Sequence, residues 1–472
     1  MVFLAAVVLF IGILRIFGLV FHDPLLGYAN NYDMTRIQAC HQIWPADPAI
    51  APGTATPEAP LRYYTLDRRG DESCFASSEL LFTGPAIWLA EHWSRVSGET
   101  HINLQAIGAF KATVLCLTAL LVSWLFYRWQ CYRSLLAHAL VFLLVLADPG
   151  VTLYLNTFYS EFSAVYFLYL GVLGIGVLVV RDYRPVWLLP VLLALVGLGL
   201  SKPQHMPLAL VLAGLLGVWL ARHGHWRQVP VIVLAALLPL VLYASGALLV
   251  RDATMAQVNR TNLLGALLSV VPDSEQRQVL ADLGMPEECL VLAGSNWHQL
   301  RHAGSAACMA AGELEYHRVA GLLVRHPQYL LQMVANAVPK TQRWVMGFYG
   351  QVEGQNRGLA AQYRWSLFAL FKPLQAVGYS VFFGLPLFIV LARLLSRRVS
   401  GKDLSVTDQG LLGLALLQWC VLGVAVTGDG FVDIAKHTHL ALVLLLAQYS
   451  LLLILCGFWL GRRVWPDRVV SQ

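Results

Sequence analysis

Residues 1–36 read MVFLAAVVLFIGILRIFGLVFHDPLLGYANNYDMTR. The first 21 are apolar apart from Arg15, and at about 1.5 Å of rise per residue they are long enough to cross a bilayer core. They carry no basic leading segment and no small-x-small cleavage site, so the stretch reads as an uncleaved first transmembrane helix rather than a signal peptide. Directly behind it the chain turns polar, with His22, Asp23, Asp33 and Arg36 in quick succession. One apolar span followed at once by ionisable groups sets the pattern for the rest.

Working outward, further apolar runs of spanning character fall near 105–127, 135–148, 163–180, 186–200, 207–220, 229–250, 375–393, 408–427 and 439–460,. With 1–21 they make about ten helices. The short pair 186–200 and 207–220, around a polar break, also fits tilted or re-entrant segments. Composition agrees: 57% of the 472 residues are hydrophobic and 13% charged, about half the roughly 25% charge of a soluble chain. The net charge of +6 is what basic loops produce, and no basic run with interleaved aromatics points to nucleic acid. The fold class is therefore all-α integral membrane, a polytopic bundle with two larger outer loops.

Orientation follows from the arginines. Alternate short loops carry Arg128 and Arg133, Arg181 and Arg184, Arg222 and Arg227, then Arg393, Arg397, Arg398 and Lys402, and last Arg462, Arg463 and Arg468. The positive-inside rule places those loops and both termini in the cytoplasm. The chain then divides into a first helix (1–21), a first outer loop (22–104), helices 2–7 (105–250), a large outer segment (251–372), and helices 8–10 with a cytoplasmic tail (373–472). Within the first loop, SSELLFTGPAIWLAEHW (77–93) reads as an amphipathic interfacial stretch. In the second, Pro327 kinks or divides the helical pattern ELEYHRVAGLLVRHPQYLLQMVANAV,. Cys40 and Cys74 share one outer segment and Cys289 and Cys308 the other, so each pair is a disulfide candidate; free buried thiols are the alternative. No internal repeat is visible.

Charge in or beside lipid is expensive and marks candidate sites. Four clusters gather at the outer ends of helices. The first is NNYDMTRI, where Asp33 and Arg36 share a helical face if the stretch is one turn; Asp33 then acts as a base or metal ligand, or only as a cap or surface ion pair. The second is LYLNTFYSEF, with Tyr159 and Glu161; a helix N-terminus alone would favour Glu161. The third is SKPQHMP, with Lys202, Gln204 and His205, a phosphate receptor or a snorkelling lysine in a hairpin. The fourth is TGDGFVDIAKHTHL, with Asp429, Asp433, Lys436 and His437; on a helix Asp433 would pair with Lys436 or His437. A zinc site there lacks a third ligand. Walker A, GxSxG, HExxH and dinucleotide fingerprints are missing.

Laid out this way, nearly the whole chain resembles the GT-C superfamily of multispanning glycosyltransferases, which use polyprenyl-phosphate sugars. Those enzymes carry a catalytic acid early in the first outer loop, and NNYDMTRI occupies that place. FYSEF, SKPQH and GDGFVDIAKH are similar to outer-face motifs in bacterial hexosyltransferases of the WsfD type. The resemblance implies a GT-C-like bundle in a bacterial inner membrane. It implies inverting hexose transfer from a polyprenyl-phosphate donor to an envelope glycan or lipid on the periplasmic side. Asp33 and Glu161 would be the catalytic acids, with Asp33 as general base. Arg36, Tyr159, Lys202, Gln204, His205, Asp429, Asp433, Lys436 and His437 would bind substrate or phosphate. Many members pair two acids in the first loop, whereas Asp33 is flanked by Tyr32 and Met34. That leaves a divalent cation (Mg²⁺ or Mn²⁺, on Asp33 or Asp429) open, and with it assistance from Asp23 or Glu161. A transporter or flippase of lipid-linked saccharide, which favours midplane charges and repeated halves, is the main alternative, beside an oligosaccharide ligase.

Overall fold

A computed structural model describes the chain except for residues 31, 57, 67–73, 99, 247–252, 303–307, 342–349, 356–358, 360, 402, 404 and 465–472. The orienting residues Lys402 and Arg468 lie outside the described residues. The chain is an all-α polytopic membrane protein: among the described residues eight helices are long and apolar enough to cross a membrane, and two shorter apolar helices, 132–146 and 185–201, accompany them.

The helices used below are α1 (Val2–Val20), α2 (Tyr32–His41), α3 (Leu80–Ser97), α4 (Leu104–Arg128), α5 (Tyr132–Val141), α6 (Glu161–Val180), α7 (Leu188–Ser201), α8 (Met206–Arg222), α9 (Val229–Ala244), α10 (Ala253–Leu268), α11 (Asp273–Leu283), α12 (Tyr316–Arg325), α13 (Pro327–Ala337), α14 (Tyr379–Val399), α15 (Val406–Asp429), α16 (Ile434–His437) and α17 (His439–Val464). The helix expected over 135–148 runs on from α5 as a π-helical stretch, Phe142–Leu146. Lys202 is extended and Pro203–His205 form a single 3₁₀ turn, so α7 and α8 make a tight hairpin. Pro327 divides its helical pattern, ending α12 before His326 and opening α13. This is where a residue without an N–H fits best.

Two faces result. At one, the turns carry Arg128, Arg133, Arg181, Arg184, Arg222, Arg227, Arg393, Arg397 and Arg398. There the buried Asp408 is gripped by Arg393 at 2.8 Å and Arg397 at 2.6 Å. The other, loop face carries both long segments. On it β1 (Ile43–Pro45), β2 (Tyr63–Leu66) and β3 (Ile102–Asn103) form a small antiparallel sheet in the order β1-β2-β3, pairing Ile43 with Leu66 and Tyr64 with Ile102. Disulfide bonds join Cys40 to Cys74 and Cys289 to Cys308. Helix α3 shows Leu81, Trp88, Trp93 and Val96 along its exposed edge. Helices α10 to α13 share a core of Leu263, Leu267, Leu280, Leu283, Leu322 and Met333, which continues into Ala425 and Val426 of α15.

Three devices hold the segment after α1 in place. Asn156 donates its amide to Val20 O and Leu26 O, at 3.1 and 2.7 Å. A Cβ at Gly108 of α4 would stand 1.8 Å from the Asn156 carbonyl oxygen, so only glycine admits this side chain,. The strip 350–353 lies along 25–29, with Gly27 N–H bonded to Gln351 O, Ala29 N–H to Gly350 O and Glu353 N–H to Leu25 O. Arg62 clamps the strip by donating to both oxygens of Glu353, at 3.0 and 2.9 Å, and pairs with Asp23 at 2.5 Å. Lys111 of α4 and Glu79, both fully buried, form an ion pair at 2.5 Å. Lys111 also donates to Thr157 O, and Glu79 accepts from the Ser163 N–H. That pair fixes the start of α6 and therefore the position of Glu161.

Candidate functional site

Asp33 is the second residue of α2, in its first turn, where a carboxylate meets the positive end of the helix dipole. Its Oδ1 accepts from Arg36 at 3.1 Å, one turn on. Its Oδ2 receives two ammonium groups from distant links: Lys436 at 2.5 Å and Lys202 at 3.4 Å. Lys202 also pairs with Glu161, the first residue of α6, whose Oε2 is buried without a hydrogen-bond partner. Three cations and two carboxylates thus share one junction of four chain segments. Burial by itself would raise the Asp33 carboxyl. The ammoniums of Lys436 and Lys202 and the Arg36 guanidinium outweigh it and hold the carboxyl well below the usual carboxylate range,.

A second arm leaves the junction through the α15–α16 link. Gly430 there has φ +59° and packs its Cα against Asn262 O, where a Cβ would come to 2.4 Å. The sharp turn sends Lys436 and His437 back over the bundle. His437 faces two oxygens, with Nδ1 at 2.9 Å from Gln204 Oε1 and Nε2 at 3.1 Å from Asp429 Oδ2. Asp429 Oδ1 accepts from Asn262 at 2.7 Å. Tyr159 bonds its hydroxyl to Ala29 O and sets its ring 5.8 Å from the Lys436 ammonium.

The structure therefore brings together Asp33, Arg36, Glu161, Lys202 and Lys436, with Tyr159, Gln204, His437 and Asp429 adjoining. Asp433 does not join them. The expected pairing with Lys436 or His437 is not made, because Asp433 caps α16 in the left-handed conformation with its side chain exposed. Only its backbone carbonyl accepts from the N–H groups of both. His205 is buried against Ser201 Oγ at 2.7 Å and backs Gln204, so Lys436 rather than His205 is the second cation on Asp33. Asp23 is turned away onto Arg62. Arg15 stacks on Trp365 and donates to its carbonyl.

A divalent cation does not fit this donor set. Both oxygens of Asp33 already face cations, and both oxygens of Asp429 accept from Asn262 and His437. Among the described residues no cluster of three His, Cys, Asp or Glu side chains could hold a metal. Reading the sequence missed Glu79, hidden inside the amphipathic SSELLF stretch, and Asn262, one of three amide side chains along α10. The only signal for Glu79 was an acid beside an apolar run, with Lys111 in a helix needing a counter-ion.

Beside Gln204, His205 and His437, a narrow crevice of about 10 Å³, room for about one water, lies between α8 and α15 and is also lined by Leu208, Val421, Val424 and Ala425. Residues 2–469 match the family model described as the YfdI N-terminal transmembrane domain. No curated protein and no solved structure matches the chain.

Proposed function

Because the chain belongs to the YfdI N-terminal transmembrane domain family, we propose that it is a membrane glycosyltransferase of GT-C type. It moves a hexose from a polyprenyl-phosphate donor to an envelope glycan or lipid, as its likeness to WsfD-type motifs suggested. The observation that carries this reading is the Asp33 carboxylate held by Lys202 and Lys436 at the loop ends of the membrane helices. The isoprenoid runs along the membrane helices and its phosphate meets the lysines. The loop face is periplasmic and the arginine face cytoplasmic, by the positive-inside rule, in a bacterial inner membrane.

In the empty site Asp33 is the counter-ion of the cations and therefore a poor base. A donor phosphate supplies competing negative charge to Lys202, Lys436 and Arg36. Its arrival frees the carboxylate and returns basicity to it, so the base is switched on only when donor is present. The acceptor hydroxyl oxygen then attacks the anomeric carbon from the side opposite the phosphate and its proton passes to Asp33. The bond from the anomeric carbon to the phosphate oxygen breaks, and polyprenyl phosphate leaves with the electron pair. The configuration inverts. The growing charge on the leaving phosphate is met by Lys202 and Lys436, preorganised donors of a kind worth about 3–4 kcal/mol each in a shielded site. Glu161 holds Lys202 in place from below.

The test is reconstitution of the purified chain in liposomes with a polyprenyl-phosphate hexose and glycan acceptors from the host envelope. Asp33→Asn should bind donor and transfer nothing. Normal turnover by that variant removes Asp33 from the chemistry; donor translocation without product by the wild type assigns a flippase instead.

A further inference from the structure

The second arm ends in a cleft that the transfer site does not use. It lies between α10, the turn 294–299, the 3₁₀ turn Val338–Thr341 and the α15–α16 link, and has a volume of about 250 Å³. That is just under the ~300–1,000 Å³ typical of small-molecule sites and suits a ligand of single-sugar size. Asn262, Ser295, Asn296, Gln299, Lys340 and Phe431 supply its chemistry.

What these groups have left to offer is one-sided. The Asn296 side-chain oxygen accepts the Gln299 N–H and the Gln299 side-chain oxygen accepts the Asn296 N–H, both at 3.1 Å. A backbone N–H can only donate, so the orientation of both amides is forced. Each is left with its NH₂ group for a ligand. Asn262 has spent its oxygen on the Trp297 N–H and one amide proton on Asp429, and one proton remains. Lys340 rests its ammonium 3.8 Å from the centre of the Phe431 ring and meets no carboxylate among the described residues. Partial burial lowers its pKa. The three amides and Lys340 thus present donors to the cleft, which suits a negatively charged ligand rich in acceptors.

We propose that this cleft is a binding site for an acidic sugar residue, one bearing a carboxylate or phosphate. If the chain is the transferase argued above, the site holds a residue of the acceptor glycan. Asn262 bonds Asp429, which bonds His437, which bonds Gln204 beside Lys202. The cleft thus connects by a run of hydrogen bonds to Gln204, two residues along the chain from Lys202 of the junction.

The experiment is a saturation-transfer NMR titration of the full chain in nanodiscs, without donor. The probes are D-glucuronate, glucose 6-phosphate and D-glucose, with acetate and inorganic phosphate as competitors. At least one acidic sugar should bind saturably and at least tenfold better than glucose, and the stronger of the two names the charged group. Lys340→Met should weaken it about tenfold, the loss of one charge-assisted hydrogen bond. Gln299→Glu keeps the oxygen that holds the turn but replaces the NH₂ by negative charge, so it should abolish binding while the melting temperature stays put. Glucose binding as well as the acidic sugars, indifference to both substitutions, or acetate and phosphate competing as strongly as the sugars would each overturn the assignment. The titration is repeated in Asp33→Asn. Binding there, with transfer absent even from the wild type, would sink the transferase reading and leave the site standing. Transfer dependent on Asp33 with no acidic-sugar binding would do the reverse.

Discussion

Two lysine–carboxylate clusters sit on the loop face, built from the same residue types and closed differently. Glu79 and Lys111 are both 0% exposed. One carboxylate meets one ammonium, and the Ser163 N–H and Thr157 carbonyl take up further hydrogen-bonding capacity. At the other cluster Asp33 is 24% exposed, and three cations face two carboxylates. Sealed neutrality is what a structural pair needs, because an unpaired buried charge is costly. The Asp33 junction, partly exposed and with Lys202 shared between Asp33 and Glu161, is not sealed in that way, and that openness is the feature to test.

The largest effect separates chemistry from folding. Asp33→Asn should lower transfer per folded molecule by about 10²–10⁴-fold, the usual worth of a general base, far beyond any loss of folded protein that removing the counter-ion of Lys436, Lys202 and Arg36 brings. A variant that melts early and transfers in proportion to its folded fraction would make Asp33 a second structural pair and erase the contrast. Lys111→Met should behave in the opposite way. It strands Glu79 and should cost about 3–5 kcal/mol of stability, seen as a lower melting temperature in detergent. Transfer per folded molecule should hold. Adding Glu79→Met should recover most of the loss. Lys436→Met comes next: kcat/KM for the lipid donor should fall about 10²–10³-fold without the melting shift of Lys111→Met. An unchanged kcat/KM would show that the phosphate does not meet Lys436.

Much of this was legible in the sequence, and the limits have physical causes. Hydropathy located the spans because a bilayer demands long apolar runs. The four polar links were marked because charge beside lipid needs a reason. Which groups pair could not be read. Lys436 lies three residues from Asp433, yet it reaches across 400 residues to Asp33, because Gly430 and a left-handed Asp433 turn the link around. Local i, i+3 logic assumes a helix that starts earlier than α16 does. Glu79 escaped notice because its partner is on another helix, and Asn262 because an amide on an otherwise ordinary helix gives no signal until its neighbours are placed.

The smallest effect compares the two ends of α2, which titrate in opposite senses. Asp33 has a folded-state pKa well below the usual carboxylate value. Its contribution to stability is complete above the unfolded value of about 3.9 and is lost only as pH falls through the lower folded one. Between pH 7 and 5 it should add no slope. His41, at the other end, is held neutral by burial beside Thr83, with its pKa lowered from 6.5 to about 4. Below 6.5 the unfolded chain takes up a proton that the folded chain refuses, so stability falls as pH drops from 6.5 toward 4. Melting curves of the wild type should therefore decline over that window, and His41→Gln, which keeps a donor for Thr83, should flatten part of the decline. Asp33→Asn should leave the slope as it was down to pH 5. If the slope instead disappears in Asp33→Asn and survives in His41→Gln, Asp33 titrates in the ordinary range, and the hold of Lys436, Lys202 and Arg36 on it is wrong.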